Sequence, residues 1–198
     1  MFEPKFSLSL IAALAIGTAA IAQDAAEGEV SDAPAGGEQI ELSMGEQEQP
    51  KAYVRETEGD WEIKCFGTGG ENDVCQMYQL LKDDTDNAVS EFSLFRLDNG
   101  TPAAAGATVV VPLETLLTQQ LSISIDGGEA RKYPFAYCNQ AGCYARLGLT
   151  AEDVTAQKAG AKGTMTIVPA AAPNQTVKAT ISLTGFTAAY DKVTTLKE

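Results

Sequence analysis

Short runs in which apolar and polar residues alternate fill most of the chain after Trp61. The clearest run places Val177, Ala179, Ile181 and Leu183 on one face of an extended segment, with polar residues between them. Eight further runs have an extended pattern: GDWEIKC, CQMYQLL, EFSLFR, ATVVV, LSISID, RKYPFAYC, CYARLGL and TMTIV. We therefore predict an all-β fold, either an antiparallel sandwich or a flattened barrel, of about nine short strands.

Helical signals are confined to two short segments. In TAEDVTAQKAG, Thr150 fits the N-cap position, Asp153 follows three residues later, and Gly160 fits the end of the helix. A second candidate runs from Thr187 to about Leu196. One or two short helices therefore accompany the sheet.

The first 22 residues have the features of a secretory signal. An apolar run from Leu8 to about Ile21 ends in a small-x-small pattern, and we expect cleavage before Gln23. From 23 to 50 there are eight acidic residues and no basic one, which predicts a disordered acidic tether over 23–54. The folded domain is expected at 55–198, with no transmembrane segment after signal cleavage.

The charge of the predicted domain limits the class of partner. Residues 51–198 contain 13 basic and 18 acidic residues, a net charge of −5, so the total of −13 comes mostly from the tether. No basic patch is visible in the sequence. This argues against nucleic acid and against electrostatic binding to anionic lipid.

Cys65, Cys75, Cys138 and Cys143 are four cysteines in a chain expected to be exported, which favours two disulfides. Three pairings are open. Long-range pairing would stabilise the fold more than local pairing, but local pairing is topologically simplest. In YCNQAGCYA, it would link the neck of a hairpin with a four-residue loop, 139–142.

Two other roles for the cysteines are less well supported. Structural zinc sites usually use cysteines two to four residues apart, often with histidine, whereas nine residues lie between Cys65 and Cys75 and the sequence has no histidine. Redox enzymes of the thioredoxin type use C-x-x-C at a helix N-terminus, whereas this spacing is C-x4-C between predicted strands.

The same lack of histidine argues against catalysis. It removes Ser-His-Asp and Cys-His sites and the commonest general base near neutral pH. No carboxylate pair stands out for glycoside hydrolysis. Asp83, Asp84, Asp86 and Asn87 lack the rest of an EF-hand loop, so we interpret them as a solvated loop. We predict no enzyme activity, no metal and no cofactor.

Three aromatic residues form the candidate interaction face. Tyr133, Phe135 and Tyr137 alternate along one run and are therefore predicted to share a strand face. Pro134 between them marks an edge strand or a bulge. An edge strand with aromatic side chains is able to bind a partner by strand addition.

Taken in order, GDWEIKC, CQMYQLL, VVVP, LSISIDGG, YPFAYCNQAGCYARLGL and ISLTGFTAAYDKV resemble the invasion-associated locus B (IalB) family of exported alphaproteobacterial proteins. The resemblance covers roughly residues 59–196. It implies a small all-β protein of the cell envelope, with Trp61, the four cysteines, Gly185 and Phe186 as framework positions. The family is named for a role in host-cell invasion by pathogenic members, and it supplies no catalytic residues.

The leading hypothesis is a non-catalytic interaction module that contacts an unknown envelope or surface protein. We expect it in the periplasm, at the outer membrane or outside the cell. One alternative is a carrier of a lipid-like small ligand in an apolar cavity, which requires an enclosed pocket. Another is an envelope enzyme, either a disulfide exchanger or a carboxylate-based hydrolase.

Overall fold

The computed structural model describes residues 50–197. It forms twelve strands, two α-helices and one 3-10 turn at Leu117–Gln119. The strands are β1 (Lys51–Glu58), β2 (Trp61–Gly67), β3 (Val74–Lys82), β4 (Ala88–Asp98), β5 (Ala103–Val111), β6 (Leu121–Ile125), β7 (Arg131–Tyr133), β8 (Phe135–Asn139), β9 (Gly142–Thr150), β10 (Lys162–Ile167), β11 (Val177–Ser182) and β12 (Thr195–Lys197). The helices are α1 (Ala151–Ala159) and α2 (Phe186–Lys192).

One sheet contains all the strands. Its main path has nine strands in the order β7-β6-β10-β11-β3-β4-β5-β9-β8, while β1 pairs with β2, β2 with β3, and β12 with β4. The β4–β12 pair is parallel and the others are antiparallel. The two ends of the path, β7 and β8, adjoin in sequence across Pro134, so the chain itself brings the sheet close to a closed barrel. The all-β antiparallel prediction is confirmed.

Two details of the strand prediction are wrong. The run RKYPFAYC divides into β7 and β8 at Pro134, which has no N–H for a ladder. Residues 51–54 belong to β1 and not to the tether, because they pair along β2 despite their weak alternation. The expected signal peptide and the rest of the tether lie outside the described residues.

The second helix ends earlier than expected. It stops at Lys192, and Val193 is buried in an extended conformation. The backbone N–H of Thr194 then donates to the carbonyl of Cys75, 3.0 Å away. The chain continues as β12 beside β4, which the helical pattern of 187–196 did not indicate.

The core lies inside the curved sheet, where the alternating residues point. Trp61 is fully buried and packs edge-to-face on Phe92 and Phe186, with ring centroids 5.8 and 5.6 Å away. Aromatic pairs in this geometry contribute roughly 0.5–1.5 kcal/mol beyond their area. Ala179 and Ile181 of β11 are buried as the alternation predicts.

A side chain completes the join between β11 and β3. Their ladder has one Cα partner pair, Thr180 with Lys82, in the described part of the chain. Farther along, the Oε1 of Gln79 accepts from the N–H of Ser182 (2.8 Å), and its Nε2 donates to the carbonyl of Ser182 (3.3 Å). Trp61 Nε1 donates to the same carbonyl, 2.9 Å away. The Gln79 amide thus takes the place of a backbone neighbour.

Both helices have defined starts. Thr150 and Asp153 form a reciprocal capping box at α1, as the sequence predicts, and Gly160 follows its end. Helix α2 begins after Gly185 and buries Phe186. Within residues 50–197, neither helix has the length and apolar character needed to span a bilayer.

Both the backbone conformation at position 185 and the atoms around it require glycine. The φ of Gly185 is +81°, and an added Cβ would overlap the carbonyl oxygen of Glu58. Gly100 has a similar φ of +71° with open space around it. We expect Gly100→Ala to lower the free energy of unfolding by about 1 kcal/mol, from backbone strain alone, and Gly185→Ala to lower it by about 3 kcal/mol or more.

Urea denaturation of both variants measures this difference. If both variants lost the same free energy of unfolding, the overlap with Glu58 would cost nothing. Stability would then not require the close packing of α2 on the end of β1.

Candidate interaction surface

The cysteines pair locally, as Cys65–Cys75 and Cys138–Cys143. In each disulfide the two residues are direct cross-strand partners with Cα atoms 4.0 Å apart. Local pairing is thus confirmed. Cys65, Cys75 and Cys143 are buried, whereas Cys138 is exposed.

The loop closed by the second disulfide is tighter than predicted. Asn139 and Gly142 are themselves cross-strand partners, which leaves Gln140 and Ala141 as a two-residue turn. The side-chain Oδ1 of Asn139 accepts a hydrogen bond from the N–H of Ala141, 2.8 Å away. The asparagine therefore orders the turn that the sequence identified as a loop.

Two tyrosines flank this disulfide and stack on each other. Tyr137 and Tyr144 are cross-strand partners, and their rings lie 4.6 Å apart at an interplanar angle of 9°. The guanidinium of Arg146 lies 5.4 Å from the Tyr137 ring centroid. Tyr137 is 44% exposed, so the stack presents an aromatic surface to solvent.

The predicted face of Tyr133, Phe135 and Tyr137 is not a single face. Phe135 pairs with Ala145 and Tyr137 with Tyr144, so a bulge sets two residues of β8 against one of β9. Tyr133 and Phe135 are partly buried against the core, and Tyr137 lies on the outer side. The period-2 argument fails because a bulge reverses which side the following residues face.

The stack belongs to a longer row on the outer side of the barrel. Direct cross-strand pairing connects five residues on adjacent strands, which we call the tyrosine row: Leu80, Glu91, Val110, Tyr144 and Tyr137. Leu80 is 44% exposed. The neighbouring outward row contains Tyr78, Ser93, Thr108 and Arg146. Farther along the outer side, Val54, Phe66 and Val74 are also exposed.

Lys64 covers part of this outer side. Its Nζ lies 3.0 Å from the centroid of the Tyr78 ring and 3.3 Å from a carboxylate oxygen of Glu62. Burial raises the pKa of Tyr78, and the nearby Glu91 and Glu62 charges raise it further. The hydroxyl is therefore neutral at physiological pH and available as a hydrogen-bond donor.

Carboxylates order the loops at the ends of the strands. Asp73 accepts hydrogen bonds from the Tyr53 hydroxyl (2.8 Å) and from the N–H groups of Gly69 and Gly70, and its pKa is lowered, chiefly by Tyr53. Asp83 accepts from Thr85 and Asn87, which likewise lower its pKa, with the Thr85 hydroxyl first.

These carboxylates have structural partners in their own loops. Within residues 50–197, no group of three or more His, Cys, Asp or Glu side chains is arranged to hold a metal ion.

The interior of the barrel is filled by side chains. A cavity of about 20 Å³ lies beside Phe92 and Ile181, which is room for one water molecule. A larger cavity of about 500 Å³ lies where α1 meets β6 and β7. In the described part of the chain, this core cavity is too small for an internal ligand, and the large cavity lies at the margin of the core.

The comparisons with known proteins agree with this arrangement. Residues 61–194 match the family described as "Invasion associated locus B (IalB) protein". The chain belongs to the IalB family. The match begins at Trp61 and ends at Thr194, so β1 and β12 lie outside it, and it includes both disulfides and the tyrosine row.

Relatives of known name support the same assignment. The chain is 27% identical over 143 residues to an invasion protein B homolog of Brucella abortus strain 2308, which covers 72% of this chain and 80% of the relative. A homolog from B. abortus biovar 1 strain 9-941 matches equally.

The fold is also similar to the crystal structure of invasion associated protein B from Bartonella henselae. The TM-score is 0.53 at 24% identity, and the alignment covers 68% of this chain and 90% of that one. At this identity the likeness shows the IalB fold alone.

The resemblance to the IalB family supplied the framework positions, but the stack was not predicted from the sequence. Trp61 and Phe186 do contact each other, and Gly185 lies directly before Phe186 at the start of α2. Tyr144 is not among the predicted interaction residues. A signal was available: in a hairpin with Cys138 opposite Cys143, the residue before the first cysteine must face the residue after the second.

The two IalB disulfides should differ in their ease of reduction. In native protein at about 1 mM reductant, we expect Cys138–Cys143 to open first, because Cys138 is exposed and a thiolate must reach the sulfur. Cys65–Cys75 should open only when the protein unfolds. Loss of Cys138–Cys143 should cost about 2 kcal/mol of stability in the chain-entropy estimate.

Alkylation followed by peptide mapping measures the order of reduction. Earlier loss of Cys65–Cys75 would contradict the burial. Easy reduction alone would not indicate exchange chemistry, since both Cys138 and Cys143 lie on strands and not at a helix N-terminus that lowers a thiol pKa.

Proposed function

We propose that this chain is an exported, non-catalytic module of the cell envelope that binds a partner protein through the tyrosine row. The observation that carries the proposal is the exposed Tyr137–Tyr144 stack beside Arg146, on the outer side of a barrel whose interior is filled. Export is supported by the signal pattern in residues 1–22 and by two disulfides.

A protein partner fits the chemistry of this surface better than the other classes. Tyrosine and arginine are among the residues that are enriched at the centres of protein interfaces. The row crosses five strands, a span of roughly 20 Å at the usual strand spacing. The domain has a net charge of −5, and Glu91 lies within the row, which disfavours anionic lipid and nucleic acid.

The absence of catalysis is part of the proposal and has chemical support. The sequence contains no histidine, and the four cysteines are disulfide-bonded, so none supplies a thiolate. The carboxylates with lowered pKa already have structural partners. Asp73 and Asp83 accept hydrogen bonds from the backbone of their own loops, and Asp126 accepts from the backbone N–H groups of Ala161 and Lys162.

The names of the Brucella relatives bear on the biological setting. They are called invasion protein B homologs, and the proposal extends to this chain a role in contact between the envelope and other proteins, including contact during host invasion. Under this proposal the partner is an envelope or surface protein, and the residues before Lys51 connect the barrel to the signal peptide.

Site-specific photo-crosslinking tests the proposed surface directly. A benzoylphenylalanine at position 137 of the full chain, produced in an alphaproteobacterial host, should give a discrete crosslinked product in the envelope fraction. Leu117, 41% exposed and outside the tyrosine row, is the matched control position and should give none. Tyr144→Ala should abolish the product while the protein stays folded, because it removes one half of the stack.

The same sample tests export, since the mature mass should begin at Gln23. Equal products at positions 137 and 117, or none at 137, would contradict the proposed surface. A mass that still includes residue 1 would contradict cleavage of the signal peptide.

A further inference from the structure

The larger cavity lies where the barrel is least completely closed. β7 pairs with β6, through Tyr133 with Leu121 and Arg131 with Ile123, whereas β8 pairs with β9. The β8–β9 ladder ends at Phe135 and Ala145, and among the described strands β7 has no ladder with β9. The cleft of about 500 Å³ opens there, beneath α1.

The inner wall of this cleft is apolar. It is formed by Ile123 and Ile125 of β6, Tyr133 of β7 and Leu149 of β9. The small internal cavity shares these four residues, so the cleft reaches down to the core. A volume of this size and a wall of this kind are typical of sites for small organic ligands.

One polar side chain in this wall has no hydrogen-bond partner within residues 50–197. Gln157 of α1 is only 7% exposed and lines both the cleft and the small cavity. Among residues 50–197, no side-chain hydrogen bond of Gln157 is found, although other buried amides such as Gln79 are fully engaged. The Gln157 amide atoms are not among the fully buried, unsatisfied groups of the described residues, so the amide borders the accessible space of the cleft, where it is able to bind a polar group of a ligand.

The charges at the rim indicate the sign of that group. Arg131 forms a two-contact ion pair with Asp153 across the cleft, at 3.1 and 3.0 Å, which neutralises the one cationic side chain in the lining. Glu129 and Glu152 also line the cleft, are exposed, and have no ion pair among the described residues. The rim therefore has two unpaired carboxylates.

We infer that this cleft binds a small molecule with an apolar body and a cationic amine, with the body against the isoleucines and Tyr133 and the ammonium between Gln157 and the rim carboxylates. The amide oxygen of Gln157 and the carboxylates of Glu129 and Glu152 all accept hydrogen bonds, as an ammonium group requires. This site is separate from the tyrosine row, and its function does not depend on that proposal.

The test uses n-octylamine, which is an ammonium ion at pH 7, and n-octyl sulfate, which has the same chain and the opposite charge. In two-dimensional NMR titrations of the mature protein, octylamine should bind saturably, with a Kd on the order of 1 mM for so small a probe. The shifted signals should be the backbone amides of Gly128, Ala130 and Ala156 and the side-chain amide of Gln157. Octyl sulfate should not saturate over the same range.

Two variants and one control make the test specific. Gln157→Leu should weaken octylamine binding about fivefold or more, and a urea midpoint close to that of the unchanged protein shows that the variant is folded. Glu152→Gln should weaken binding about threefold. Glu71→Gln removes an equal charge from the loop between β2 and β3 and should change nothing.

Several results would overturn the inference. These are no saturable binding of octylamine, equal binding of octyl sulfate, shifts centred on Tyr137 and Tyr144, or unchanged binding by Gln157→Leu. Each of these outcomes leaves the crosslinking test of the tyrosine row unaffected.

Discussion

The closure of this sheet depends on one buried amide. Beyond the single Cα partner pair between β11 and β3, the Gln79 side chain exchanges both hydrogen bonds with the backbone of Ser182, as a neighbouring strand would. Trp61 donates to the same carbonyl and fills the space behind it. Removing either partner would leave buried polar groups unsatisfied, at roughly 1–3 kcal/mol each. The polar joint and the aromatic core are therefore interdependent.

This joint explains why the two candidate sites lie outside the barrel or at its margin. With the joint closed, the inward positions are occupied by core residues, and Cys65, Cys75 and Cys143 are buried among them. The outward positions do not have to fill the core, and the paired tyrosines occupy such positions in the tyrosine row. The sheet is also incomplete between β7 and β9, which do not pair in the described part of the chain. The cleft that Gln157 lines lies there. Both candidate sites thus follow from how the sheet closes.

The sequence predicted the parts of the molecule that depend on local pattern. Strand alternation predicted the all-β fold, Thr150 predicted the start of α1, and the even cysteine count predicted two disulfides. The first two signals come from residues that are close together in the sequence. The missed features depend on distant contacts. β1 has weak alternation and is held by β2 and by Lys192, whose pKa is raised by Glu56 and Glu58. The bulge after Phe135, and the isolation of Gln157 in its wall, are visible only once the strands are paired.

Hydrogen exchange of the Ser182 amide tests most directly whether the joint holds the barrel closed. In the native protein this amide should exchange only through global unfolding, at the rate of the Trp61–Cys65 segment, because its acceptor is the buried Gln79 side chain. In Gln79→Leu it should exchange through local opening, at least tenfold faster than that segment. Exchange in the native protein as fast as that of the exposed Gly100 loop would contradict the account, and the barrel would then be open between β11 and β3.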